Sequence, residues 1–152
     1  MMEAFLVDLG NHTDQTTKQM LQNLINKRIK YNRYKNIHFL LLSFAFLFGF
    51  FVFSLFYKAT IETSTNSVLD TFSILVKRNH FLTLFFIAFT LFGSVKVIFE
   101  KKEKSEKEYH ALRCEIIEKS KDLWKGDKWN QRHRVFEQMK KKYDINLYHQ
   151  SK

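Results

Sequence analysis

Ile37–Tyr57 reads IHFLLLSFAFLFGFFVFSLFY and contains no Asp, Glu, Lys or Arg. Roughly twenty residues at about 1.5 Å each make about 30 Å of helix, the thickness of a bilayer's hydrocarbon core. In water, a helix that is apolar all round must be covered all round. A second apolar run, His80–Phe99 (HFLTLFFIAFTLFGSVKVIF), follows a mixed connector. The polar remainder of a 152-residue chain cannot wrap both. Lipid must cover them, and lipid demands helices because it offers backbone amides no partner. The predicted fold class is therefore all-α. It is a membrane hairpin of two transmembrane helices (residues 37–57 and 80–99) joined by an external connector (58–79). An N-terminal cytoplasmic segment with an amphipathic helix (1–36) precedes it, and a C-terminal cytoplasmic basic helical region (100–152) follows.

The composition suits long helices. There is no proline, and there are only four glycines, so little interrupts helical runs. The lone Cys114 rules out a disulfide framework within the chain. The net charge of +10 is concentrated outside the apolar runs. Lys18, Lys27, Arg28, Lys30, Arg33 and Lys35 precede the first run, whereas the connector holds only Lys58, Lys77 and Arg78. Basic residues flanking spans stay on the cytoplasmic side. The expected location is the cell membrane, multi-pass, with both termini cytoplasmic. Lys27, Arg28, Lys30, Arg33 and Lys35, with Lys96 near the exit of the second span, are the candidate contacts for anionic lipid, although topology alone accounts for them. Within the membrane, Ala45 and Gly49 form a small-x-x-x-small pair, and counting from matched ends brings them near Ala88 and Thr90. Small residues there allow close helix approach.

The arms outside the spans carry apolar stripes at helical spacing. Asn11, Thr13 or Asp14 can cap a helix whose stripe is Met20, Leu21, Leu24, Ile25 and Ile29. Residues 68–78 form either a surface helix or an extension of the second span. Beyond Glu100, one helix is expected to run out of the membrane with Tyr109, Leu112, Ile116, Leu123 and Trp124 on one side. Gly126 ends it, and Asp127 caps another, with Trp129, Arg132, Val135, Phe136, Met139 and Tyr143 facing inward. The closing DINLYHQSK reads as extended or irregular. These stripes are expected to pack on one another as a small helical bundle, or to pair across a dimer.

Little points to chemistry. No two histidines have the spacing of a helical zinc pair, and there is no phosphate loop, nucleophile elbow or calcium loop. Neither cofactor, metal, catalytic residue nor small-molecule substrate is predicted. The segment WKGDKWNQRHRVFEQMKKKYDINLYH stands out instead, because Trp, Arg and Tyr dominate protein contacts. Trp124, Trp129, Arg132, His133, Phe136 and Tyr143 are the candidate partner contacts. The alternative for the two tryptophans is internal packing at a helix seam.

Taken together, LxxLIxKR before a two-span hairpin and LRxEIIxKSxDLW, WxxRHxVFExMK and YDINLYH after it resemble the YpbF-like family. The match is carried by Leu21, Leu24, Lys27 and Arg28, by Leu112, Arg113, Glu115 and Trp124, and by Trp129, Arg132, His133, Phe136, Tyr143 to Leu147 and His149. The resemblance implies a small two-span protein of a bacterial cytoplasmic membrane and brings no activity with it. The function expected is a non-enzymatic anchor that presents a basic helical module to a protein partner, a second copy or anionic lipid. Membrane-tethered nucleic-acid binding, and an accessory subunit of a transport or cell-envelope complex, are the alternatives.

Overall fold

Without proline to break it, the first helix does not stop where the apolar run begins. In the computed structural model, which describes residues 6, 14–62, 69, 73, 76 and 79–149, α1 runs unbroken over Gln15–Glu62. The amphipathic helix and the first apolar run are thus one element. Asp14 stands at its start: its carbonyl accepts the Lys18 N–H at 3.0 Å, and its side chain accepts the Gln15 N–H at 2.9 Å. The other proposed caps, Asn11 and Thr13, lie outside the described residues. So does most of 58–79 beyond Glu62, although Leu69, Ser73 and Val76 are helical. α2 spans Asn79–Glu118, α3 is the single turn Ser120–Leu123, a 3₁₀ segment covers Gly126–Gln131, and α4 is Arg132–Tyr143. Among the described residues there is no strand.

The chain divides into two units. One is Tyr34–Lys101, which holds both apolar runs. Each run is long and apolar enough to cross a membrane, and only 6% of each apolar window is buried within the chain. Phe39, Leu40, Leu47, Phe50 and Phe89 are each at least 70% exposed. The two helices touch near their ends, where His38 meets Phe99 (ring centroids 5.4 Å) and Phe56 meets Phe81 edge-on (6.0 Å). Both pairs are separated by the same number of residues along each helix, so the helices are antiparallel and in register. At 1.5 Å per residue the aromatic contacts stand roughly 27 Å apart. Ser43, Thr60, Thr90 and Ser94 each donate their hydroxyl to the carbonyl four residues back, at 2.9–3.0 Å. That leaves no side-chain donor of theirs to be solvated.

The other unit joins Met1–Arg33 to Lys102–Lys152. Its core contains Leu21, Leu24 and Ile25 of α1, Tyr109 and Ile116 of α2, Trp124, and Val135, Phe136 and Met139 of α4. The three stripes read from the sequence therefore pack against one another. Two details depart from that reading. Ile29 is 51% exposed and lies outside the core. The helix expected to reach Gly126 breaks at Glu118, and α4 starts at Arg132 after a 3₁₀ segment, so Asp127 falls inside that segment rather than at the start of α4. The reason is angular. On an unbroken helix Trp124 would sit about 80° round from Ile116. With the break at Lys119, Trp124 is 1% exposed and meets Phe136 edge-on at 5.5 Å. Gly126 makes the turn back with φ +61°, a left-handed conformation suited to glycine.

Candidate functional site

The basic cluster of α1 is only partly free. Lys27 and Lys30 both reach Glu108 Oε2, at 3.2 and 3.9 Å, and Arg28 pairs with Asp144 at 2.7 Å. Three of the proposed lipid contacts therefore hold the N-terminal arm to the C-terminal one. Arg33, Lys35 and Lys96 are exposed. Local spacing could not reveal such pairs, because their partners lie far along the chain.

Arg28 sits at the middle of this join. Its guanidinium lies 5.2 Å from the Tyr109 ring and 5.7 Å from the Tyr31 ring, and those rings are themselves parallel with centroids 6.3 Å apart. Tyr31 donates its hydroxyl to Glu106 at 3.3 Å. Asp144 can reach Arg28 because it ends α4 in the left-handed conformation, φ +56°, with its N–H on the Lys140 carbonyl at 3.0 Å. Aspartate tolerates that conformation better than most residues. Two cation–π contacts and one largely exposed ion pair together contribute about 2 kcal/mol. Arg28→Ala is expected to lower the urea stability of the detergent-solubilised chain by that amount. Arg28→Met should recover packing but not the ring contacts. An Arg28→Ala chain as stable as wild type would remove Arg28 from this role.

The pH response of the join has a defined sign at each end. The hydrogen bond from Lys27, then its charge, holds the Glu108 carboxyl below its ordinary value of 4.5. A carboxyl lowered on folding stabilises above its unfolded value, and that contribution disappears as pH falls through the folded one. Burial raises the Tyr109 phenol above 10.0, against the pull of Arg28 and Arg113; Tyr31 is raised too, first by burial and then by Glu106. Protonated phenols therefore favour the fold, fully below pH 10 and less as pH climbs through the folded values. Absorbance at the phenolate band is expected to show two tyrosines ionising late, together with loss of near-ultraviolet dichroism. Six tyrosines titrating as one class would contradict it.

The tryptophan-rich segment resolves into buried and exposed members. Trp124 and Phe136 are core residues and Tyr143 is half-buried against them. Trp129, expected to face inward, is instead 36% exposed, with the Arg132 guanidinium 3.6 Å above its ring. It sits on the 3₁₀ segment rather than on α4, so helical spacing from Phe136 did not apply to it. His133 is exposed and stacks on Tyr148 at 6.0 Å; Tyr148 donates its hydroxyl to the His133 carbonyl at 3.1 Å and is 41% exposed. Trp129, His133 and Tyr148 are thus the aromatic groups this segment offers to solvent, with the half-buried Arg132 packed on Trp129. Tyr148 was not among the residues picked out by sequence. Its neighbours Ile145 and Leu147 are fully buried, alternating with it as in an extended strand, and that period of two was the available signal.

The small-residue set is less united. Ala45 is buried and Ala88 half-buried, but a side chain added at Gly49 would meet open space, and Thr90 is exposed. Among the described residues, no three His, Cys, Asp or Glu side chains gather as a metal would require.

The chain is 39% identical to "Uncharacterized protein YpbF" of Bacillus subtilis (strain 168), over 99% of its own length and all of that protein's. No solved structure matches it. The family profile described as "Protein of unknown function (DUF2663)" matches residues 20–150, and on both counts the chain belongs to this family, the one that includes YpbF.

Proposed function

We propose that the chain is a non-enzymatic integral membrane protein whose two apolar runs span the bilayer as a hairpin and anchor a basic helical module, which meets a protein partner on the cytoplasmic side. The observation that carries this reading is the contrast between the two units. Among the described residues the arms bury twelve side chains in a shared core, while only 6% of each apolar window is buried within the chain. Phenylalanines exposed in such numbers need a solvent of their own kind. The aromatic contacts roughly 27 Å apart suit the two edges of a hydrocarbon core. The excess of Lys and Arg in both arms over the connector supports both termini lying inside.

A protein partner is favoured over lipid as the module's target because Lys27, Arg28 and Lys30 are already engaged within the chain. Arg33, Lys35 and Lys96 then serve as headgroup contacts. The exposed Trp129, His133 and Tyr148, with the half-buried Arg132 stacked on Trp129, have the composition of a contact hot spot. A photo-crosslinking residue at Trp129, used in intact membranes, is expected to capture one defined protein or a second copy of the chain. Trp129→Ala with Arg132→Ala should abolish the partner's co-purification with little dependence on salt. Binding that instead falls steeply with ionic strength, and weakens when Lys140, Lys141 and Lys142 become alanine, would make nucleic acid the partner. Extraction of the chain from vesicles by alkaline carbonate, or external reporter activity at either terminus, would overturn the anchor.

A further inference from the structure

Arg28 and Arg132 both lie over aromatic rings, but among the described residues only Arg28 also meets a carboxylate. Its guanidinium, beside Tyr31 and Tyr109, is paired with Asp144 at 2.7 Å. Arg132 has the ring half of that arrangement alone, 3.6 Å above the Trp129 ring and 5.5 Å from the Phe136 ring. The row continues outward on the other side of Phe136, which meets Tyr148 edge-on at 5.4 Å, and Tyr148 stacks on His133 at 6.0 Å. Trp129 and Tyr148, at the two sides of this row, are 36% and 41% exposed. A protein that covers Trp129 therefore covers the guanidinium stacked on it. A cation taken out of water without an opposite charge is strongly disfavoured. The covering surface must bring an anion, and proteins carry one as Asp or Glu.

On the basis of the protein-partner reading above, we propose that the partner is a different protein that sets an Asp or Glu carboxylate on Arg132, in the two-point contact a guanidinium makes with a carboxylate, from an acidic segment whose apolar side chains cover Trp129 and Tyr148. The surrounding charge is complementary to such a segment: residues 119–142 hold nine Lys or Arg against three Asp or Glu, which steers acidic chains in and basic ones away. A second copy is a poor source of the carboxylate, because Glu106, Glu108, Glu115, Asp122 and Asp144 each pair with a base of their own chain. Nucleic acid would stack its bases on open ring faces, whereas Arg132 takes one face of Trp129 and His133 stacks on Tyr148. A single ion pair enclosed by rings is screened little, in keeping with the weak salt dependence expected of this contact.

The test uses the full chain in intact membranes, with benzoylphenylalanine replacing Tyr148 as the photo-crosslinker, so that Trp129 and Arg132 stay in place. Mass spectrometry of the captured segment is expected to find an Asp or Glu within a few residues of the crosslinked site. Arg132→Glu should lower capture about tenfold or more, and Arg132→Gln nearly as much, with the near-ultraviolet dichroism of the purified chain unchanged. Replacing the partner's acidic residue by arginine should restore capture by the Arg132→Glu chain and abolish it for the unsubstituted one. A captured segment without an acid, one from a second copy, capture indifferent to Arg132→Gln, or a charge swap that restores nothing overturns the carboxylate and leaves the protein-partner reading standing. Capture that rises when Asp127 is changed to asparagine would place the counter-ion within the chain and overturn it likewise. Capture of nucleic acid, or of no protein at all, removes both.

Discussion

Trp124→Ala is expected to destabilise the helical module by about 3–5 kcal/mol, the usual loss when a buried aromatic is truncated in a core that cannot close around the space. Trp124 is 1% exposed, it meets Phe136 edge-on, and Leu123 and Ile116 belong to the same cluster. The helix break at Lys119 lies between Ile116 and this side chain, both of which are in the core. Its loss should therefore unfasten α3 as well as leave a hole. The comparison with Trp129→Ala sharpens the test. Trp129 is 36% exposed and touches mainly Arg132, so its removal should cost about 1 kcal/mol or less. Urea unfolding of the full chain in detergent, followed by near-ultraviolet dichroism and by proteolysis of residues 100–149, reads both variants. Two tryptophans that prove equally costly, or a Trp124→Ala chain that keeps its protease resistance, would show that the core is not built around Trp124.

The second large effect concerns the apolar helices. Leu47 is 70% exposed and lies halfway along Ile37–Tyr57. Leu47→Arg is expected to impede insertion by about 2.5–3.5 kcal/mol, the penalty for arginine at a helix centre in the bilayer. The prediction has the opposite sign if the helix is in water, where arginine at so exposed a position would be neutral or improve solubility. Quantitative membrane fractionation after expression, with Leu47→Phe as a control, distinguishes the two. Undiminished membrane recovery of Leu47→Arg would count decisively against the span. Leu21→Arg, by contrast, falls in the buried core of the arms and should damage the module while leaving fractionation unchanged.

Much of this fold was legible because its signals are local. The all-α class, both apolar runs and the stripes at Leu21, Leu24 and Ile25, at Tyr109 and Ile116, and at Val135, Phe136 and Met139 follow from the helical period. Where the backbone left that period, the reading drifted. Helical spacing turned Trp129 inward, yet the 3₁₀ segment carries it to the surface. The tail after α4 read as irregular although Ile145 and Leu147 lie in the core. In the candidate site, His133 is exposed and Arg132 is half-buried against Trp129, whereas Phe136 and Tyr143 are structural.

The sequence by itself determined that the chain must be helical, that two of its stretches are long and apolar enough to cross a membrane, and that its arms have faces to bury. Each is a property of residues within a few turns of one another. Tertiary structure alone decided that Lys27, Arg28 and Lys30 are occupied by Glu108 and Asp144, and which of the two tryptophans is buried. Those outcomes depend on side chains up to 116 residues apart meeting after the helices have packed, and no spacing along the chain encodes such a meeting.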